Sequence, residues 1–367
     1  MPEKLLSVSA FENPAVTAES CDSVKDTRKI EYFVETGRKP MKKEKRIKPD
    51  VKRAAKRIAM LCLAVLLAAS LLTSCRSSGV KVKTDDKGFY DYNGYIIKSE
   101  YPMDAQSLDK ASEKLRKIYE LYLKDQDVKT YFAIVPDKNA WAFEAEGQNV
   151  IDYSELYARM QADTEDFASY IELDDLLDME SYYKTDAHWR QEKIYPVAQR
   201  IAEAMGCELT AEYDKAVAND SFIGAYGRQS DLAMEPEELI YLTNEALDGC
   251  IVTDYASEDE RYVTTGVYTI ASAASEDGEG YDMFLDGAKS LLTIENPAST
   301  TDKELIIFRD SFGSSIAPFF TECYRKVTLV DTRYLPSERV GKFVDFDRQD
   351  ILFLYSVPVL NNSVMLK

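Results

Sequence analysis

The sequence predicts an α/β fold, a parallel sheet flanked by helices and interrupted by a β-rich insertion. Three observations predict it. Short apolar runs such as "YFAIV" at 131–135, "LIIF" at 305–308 and the core of "DILFLYSV" at 350–357 have the length of strands buried on both faces. Stretches with apolar residues at helical spacing stand between such runs. From about 207 to 290 the pattern turns irregular, with short β-like runs between acidic or Gly-rich turns.

In chain order, "FYDYNGYIIKS" at 89–99 carries an Asn93-Gly94 pair between alternating aromatic and aliphatic residues, which predicts a hairpin. After Pro102, Leu108, Ala111, Leu115, Ile118, Tyr119 and Tyr122 recur on one helical face. The strand at 131–135 is stopped by Pro136. "YSELYARM" predicts a second helix and "SYIEL" at 169–173 a further strand. "RQEKIYPVAQRIAEAMG" predicts a helix closed by Gly206, with Pro196 marking either a kink or a late start. Within the insertion, "LIYLT", "CIVTDY" and "YVTTGVYTIAS" are the β-like runs. "KELIIFRDSFGSSIAPFF" at 303–320 then returns to strand, turn and helix, and "KVTLVDTRYL" and "DILFLYSV" supply two more strands. The expectation is one domain over residues 88–367, within the size range of such folds.

The N-terminal part is different in kind. Residues 1–75 hold 15 Lys and Arg against 9 Asp and Glu, whereas the whole chain carries a net charge of −19. A basic head on an acidic body marks a boundary. From Met41 a basic stretch, "MKKEKRIKPDVKRAAKR", precedes the apolar "IAMLCLAVLLAASLLTSC". That order is the order of a secretory signal. Leu72-Thr73-Ser74-Cys75 resembles a bacterial lipobox, which implies cleavage before Cys75 and a lipid on its sulfur. The alternative is an uncleaved anchor, although 58–73 is short of the ~20 residues of a spanning helix. Either way the acidic body lies outside the cytoplasm, on the outer face of the membrane. Residues 1–40 fit neither pattern and read as an extension or a mis-assigned start, and 76–87 reads as a polar tether. An acidic body excludes a nucleic-acid partner.

Six cysteines are present, with Cys207, Cys250 and Cys323 in the body. The wide spacing has no metal-site pattern, and export permits one disulfide without selecting its pair. One histidine, no paired cysteines and no phosphate-binding glycine loop leave no basis for a metal or other cofactor.

Ser311 follows the apolar run 305–308 through Arg309 and Asp310, and Gly313 and a helix follow. In open α/β sheets ligands bind beyond the carboxyl ends of strands. A serine there presents its hydroxyl at the site, and its own N–H can serve a developing oxyanion. The alternative is that Asp310 or Ser311 only caps the helix. The sole histidine, His188, lies in "SYYKTDAHWR" at 181–190. A serine nucleophile needs a base, and histidine is the natural one. Asp186, two residues earlier, projects to the same side of an extended segment and can fix the ring. Tyr182, Tyr183 and Trp189 would wall such a site and stack on a sugar ring. The alternative is a surface histidine beside a solvated aspartate.

"YYKTDAHW" resembles the signature of the DHHW-motif proteins of Gram-positive bacteria, which are similar to the AlgJ/AlgX-type alginate O-acetylation proteins. "IVPDK" at 134–138, "YDMFLDG" at 281–287, "RDSFGSSIAPFF" at 309–320 and "VDTRYL" at 330–335 carry the resemblance further, from about residue 90 to the C-terminus. It implies an SGNH-hydrolase-like fold with Ser311 as nucleophile, His188 as base and Asp186 as its partner. Ala187 stands where the family name has a histidine. Arg309 stands where many SGNH enzymes have glycine, and the glycine and asparagine of a usual oxyanion hole have no counterpart here. Arg333 and Lys138 follow predicted strands and are expected either to face the substrate with Arg309 or to be structural charges.

The expected function is that of an exported, lipid-anchored acetyltransferase or esterase acting on a polysaccharide, served by a membrane protein that exports acetyl groups. A non-catalytic glycan-binding or structural envelope protein on the same fold is the alternative.

Overall fold

A computed structural model describes residues 80–367 apart from 143, 144, 147 and 275–278. The extension, the signal or anchor segment and Cys75 lie outside the described residues. The elements that position the site are, in chain order, β1 (Phe89–Tyr92), β2 (Tyr95–Lys98), α1 (Ala105–Ile118), β3 (Lys129–Val135), α2 (Tyr153–Thr164), β4 (Ser169–Ile171), α3 (Tyr195–Ala204), β5 (Asp214–Phe222), β6 (Glu237–Thr243), β7 (Ile251–Asp254), β8 (Tyr262–Thr265), β9 (Leu291–Glu295), β10 (Glu304–Arg309), β11 (Lys326–Val330) and β12 (Asp350–Ser356).

The main sheet has eight strands in the order β8-β7-β9-β11-β10-β12-β3-β4. The run from β11 through β10, β12 and β3 to β4 is parallel. On the other side β9, β7 and β8 add by antiparallel pairing. The parallel strands are buried on both faces, as their unbroken apolar runs require. Leu305 and Ile307 of β10 pack into one core with α3 and the segment after Ser311. Ile306 and Phe308 pack into the opposite core with α1 and α2.

Local chemistry fixes the elements. Asn93 and Gly94 both take positive φ, 54° and 83°, which closes the tight β1–β2 hairpin. Asp104 caps α1 by accepting from the Gln106 and Ser107 N–H groups. Pro196 sits in the first turn of α3, where no N–H is needed, so it marks a start and not a kink.

The β-rich stretch divides between two sheets: β5 and β6 pair only with each other, while β7 and β8 extend the main sheet. The sequence reading missed β9, whose run "LLTIE" joins them to β11. The tether is docked from Val80 onward. Val80–Lys81 pairs with Ala145–Glu146, and Asp85 accepts from the Lys87, Phe89 and Asp231 N–H groups.

Cys207 and Cys323 form a disulfide with Cα atoms 6.2 Å apart, and Cys250 is free and buried. The bridge joins the end of α3 to the helical segment after Ser311. No helix among the described residues is long and apolar enough to cross a membrane.

Candidate active site

Ser311 lies two residues beyond β10, at the C-terminal edge of the parallel strands. Asp310, fully buried, builds the turn. One carboxylate oxygen accepts from the Phe312 N–H at 3.0 Å, and the other accepts from the Ser356 N–H at the end of β12, at 2.7 Å. Asp310 therefore does the capping, and the Ser311 hydroxyl stays free for another partner. Gly313 is required by space: a Cβ there would lie 2.8 Å from the Cβ of Arg309.

The histidine segment has little regular structure. Tyr182 and Trp189 form an isolated antiparallel bridge, and the Tyr183 N–H donates to the His188 carbonyl at 3.1 Å. Between them the chain loops so that Asp186 and His188 meet. His188 Nδ1 lies 2.6 Å from Asp186 Oδ1, and the same oxygen accepts from the His188 backbone N–H at 3.0 Å. Asp186 Oδ2 accepts from the Ala225 N–H at 2.7 Å. His188 Nε2 lies 2.7 Å from Ser311 Oγ. A carboxylate accepts only, so Nδ1 carries the proton and Nε2 is left to accept from the serine hydroxyl.

Burial and charge support this assignment. Asp186 is buried, His188 nearly so, and Ser311 partly exposed. Burial alone would push the Asp186 carboxyl up. The His188 charge and hydrogen bonds from the His188 ring, the Ala225 N–H and the His188 N–H outweigh it and hold the carboxyl well below its usual range. Asp186 is thus an anion beside the ring, able to stabilise an imidazolium.

Tyr281 completes the support. Its ring stacks on the imidazole at 3.8 Å, only 4° from parallel. Its hydroxyl and Trp189 Nε1 both donate to Ser315 Oγ, at 2.7 and 2.8 Å. The ring that backs His188 is thereby tied to the helix that follows Ser311.

The remaining candidates turn inward, and Arg333 and Lys138 follow the structural-charge alternative. Tyr182, Tyr183 and Trp189 are fully buried behind the Asp–His–Ser row, so they offer no face to a sugar ring. Arg309 is also fully buried, with Nη1 3.6 Å from Asp331 and 3.3 Å from the Asp310 carbonyl. Arg333 grips the same Asp331 at 2.7 Å. Lys138 is buried against the backbone of the histidine segment and not turned toward a cleft. Each charge found a partner inside because it follows a strand into the packed end of the sheet.

Sequence reasoning assigned no part to Tyr281, Gly224, Ala225 or Glu237. Glu237 accepts from the Lys184 and Thr185 N–H groups at 3.1 and 2.8 Å. Gly224 passes so close to Asp186 that a Cβ would lie 2.3 Å from the aspartate Cβ. The "YDMFLDG" stretch pointed toward Tyr281; the others had no local signal. Among the described residues no group of three or more His, Cys, Asp and Glu is placed to hold a metal ion.

A mostly parallel sheet between two helical layers, with this row at its C-terminal edge, defines a three-layer α/β protein with an Asp–His–Ser row. Its solved neighbours include a DHHW family protein from Eubacterium siraeum, with a TM-score of 0.61 and 17% identity over 77% of this chain and 94% of that one. Bacillus cereus PatB1 is similar at a TM-score of 0.61 and 19% identity, over 76% of this chain and 96% of that one. The O-acetyltransferase domain of Pseudomonas putida AlgJ aligns at 0.45 and 12% identity, over 77% and 92%. No family model and no curated protein sequence matches the chain.

Proposed function

We propose that this chain is a serine-dependent acyltransferase or esterase for acetyl groups, acting on a cell-envelope or extracellular polysaccharide. The observation that carries the reading is the unbroken row from Asp186 through His188 to Ser311, with contacts of 2.6 and 2.7 Å. In the first step Ser311 Oγ attacks the acyl carbonyl carbon and its proton passes to His188 Nε2. The tetrahedral adduct collapses, the donor oxygen leaves with that proton, and an acyl ester remains on Ser311. A sugar hydroxyl or water then attacks the ester, His188 takes its proton, and the bond to Ser311 breaks as His188 returns that proton to Ser311 Oγ. The Ser311 N–H, which donates to no described residue, is the oxyanion donor that the turn offers.

The place of action is proposed from other features. The lipobox-like segment ending at Cys75 and the Cys207–Cys323 disulfide both suit an exported protein held at the outer face of the membrane. A polysaccharide acceptor is proposed from the resemblance of "YYKTDAHW" and "RDSFGSSIAPFF" to the DHHW-motif and alginate O-acetylation proteins, and such a system needs a membrane protein to supply acetyl groups. The test is acetyl release from p-nitrophenyl acetate by the full chain. Ser311→Ala and His188→Ala are expected to lower the rate by about 10³-fold or more. Equal rates in all three proteins would overturn the proposal.

A further inference from the structure

Lys138 follows β3 through Pro136 and Asp137 and is only 2% exposed. Its Nζ donates to three carbonyls of the histidine segment: Tyr183 at 3.0 Å, Asp186 at 2.8 Å and, more weakly, Lys184 at 3.4 Å. An ammonium has three N–H donors and no acceptor, so donor and acceptor numbers match only in the charged state. A neutral amine keeps two donors and turns a lone pair toward a carbonyl. We propose that the Lys138 ammonium is a positioning residue for the Asp–His–Ser row, holding the 183–186 backbone so that His188 meets Ser311, and that loss of its proton releases the pair.

The surroundings make that proton easy to lose. Burial pushes the Lys138 ammonium down to about 7, against the pull of Asp186, Glu237 and Asp137. The groups that face it are these three carboxylates and the Tyr226 ring, whose centroid lies 5.2 Å from Nζ. Glu100 also interacts with Asp137 and Tyr226, and burial followed by the Asp137 charge pushes it up to about 8. Glu100 is therefore the second group that titrates nearby, and any test must separate the two.

The sign of the linkage gives a signature that a purely structural lysine would lack. The folded value lies below the ordinary ~10.4, so between about pH 7 and that value the unfolded chain binds more protons. Through Lys138, stability rises with pH in this window. The positioning role requires activity to fall in the same window. A lysine that only supported the fold would let activity follow stability upward.

The proposal rests on the reading of Ser311 as nucleophile, so the experiment has a readout that does not need turnover. The chain has one histidine, and selective 15N-histidine labelling of the full chain therefore reports His188 alone. In the wild type the Nδ1 proton bonded to Asp186 is expected to weaken above neutral pH. kcat/KM for p-nitrophenyl acetate should fall with the same midpoint, KM should change less than about threefold, and the thermal midpoint should rise. Lys138→Met should lose the Nδ1 signal at every pH and lower kcat/KM by about 10²-fold, the scale set by a displacement of about 1 Å. Glu100→Gln should leave the alkaline limb in place. A Lys138→Met protein with the wild-type signal and limb, or a wild-type limb that vanishes in Glu100→Gln, would overturn the proposal. The wild-type titration tests it even where Lys138→Met does not fold. A signal that titrates as stated in a chain without turnover would keep the clamp and remove the catalytic reading.

Discussion

The two halves of the site are held by different kinds of structure. Ser311 is placed by the sheet: it lies two residues beyond β10, which runs between β11 and β12, and Asp310 ties its turn to the end of β12 through the Ser356 N–H. Asp186 and His188 lie in a segment with almost no ladder of its own. They are placed by groups that converge from elsewhere, Lys138 after β3, Gly224 and Ala225 after β5, Glu237 at the start of β6, and Tyr281 before β9. The difference teaches that a residue just past a central strand needs one side-chain tie, here Asp310, whereas a pair on an irregular segment needs a surround of buried polar contacts. The disulfide from the end of α3 to Cys323 then joins the two halves.

Two substitutions break the comparison from either side. The larger effect is expected at Gly224. Its φ of −75° is ordinary, so the glycine is there for space and not for backbone freedom. Gly224→Ala puts a Cβ 2.3 Å from that of Asp186 and forces the pair apart. The acetyl-release rate should fall by about 10²-fold or more, and a rate within threefold of wild type would show that the rate does not depend on the packing of Gly224 against Asp186. The smaller effect on rate is expected at Asp310. Asp310→Asn replaces one of two accepting oxygens and leaves a buried N–H without a partner, which costs about 1–3 kcal/mol. Denaturant unfolding should show that loss together with a rate reduced only about tenfold, because the sheet still delivers the turn. If instead activity vanished with stability unchanged, the serine half would depend on side-chain clamps as the histidine half does.

The contrast also explains what was legible in the sequence. β3, β10, β11 and β12 showed as apolar runs because both of their faces are buried, and Ser311 inherited its position from β10. Asp186 and His188 were legible as a pair because two-residue spacing is a local signal. Their supports were not, since Lys138, Gly224, Glu237 and Tyr281 reach the pair from segments 38 to 93 residues away along the chain. For Lys138 and Arg309 the sequence leaves two readings open, a charge facing substrate and a structural charge, because a charge near a strand end can turn either way. Here the Tyr183 and Asp186 carbonyls and the Asp331 carboxylate took them inside. Tyr183 and Trp189 were read as a sugar platform, yet the bridge between Tyr182 and Trp189 turns the aromatic cluster into the core. β9 escaped notice because its five residues, "LLTIE", follow "DGAKS" in the irregular stretch with no alternation to mark them.

The central claim is that Ser311 becomes acylated with His188 as its base. The most direct measurement is intact and peptide mass spectrometry of the full chain after brief exposure to an activated acetyl ester. The account predicts one added acetyl group on the peptide that carries Ser311, formed at least about 10²-fold more slowly in His188→Ala and absent in Ser311→Ala. Acetylation spread over surface lysines, with the Ser311 peptide unmodified in the wild type, would contradict it.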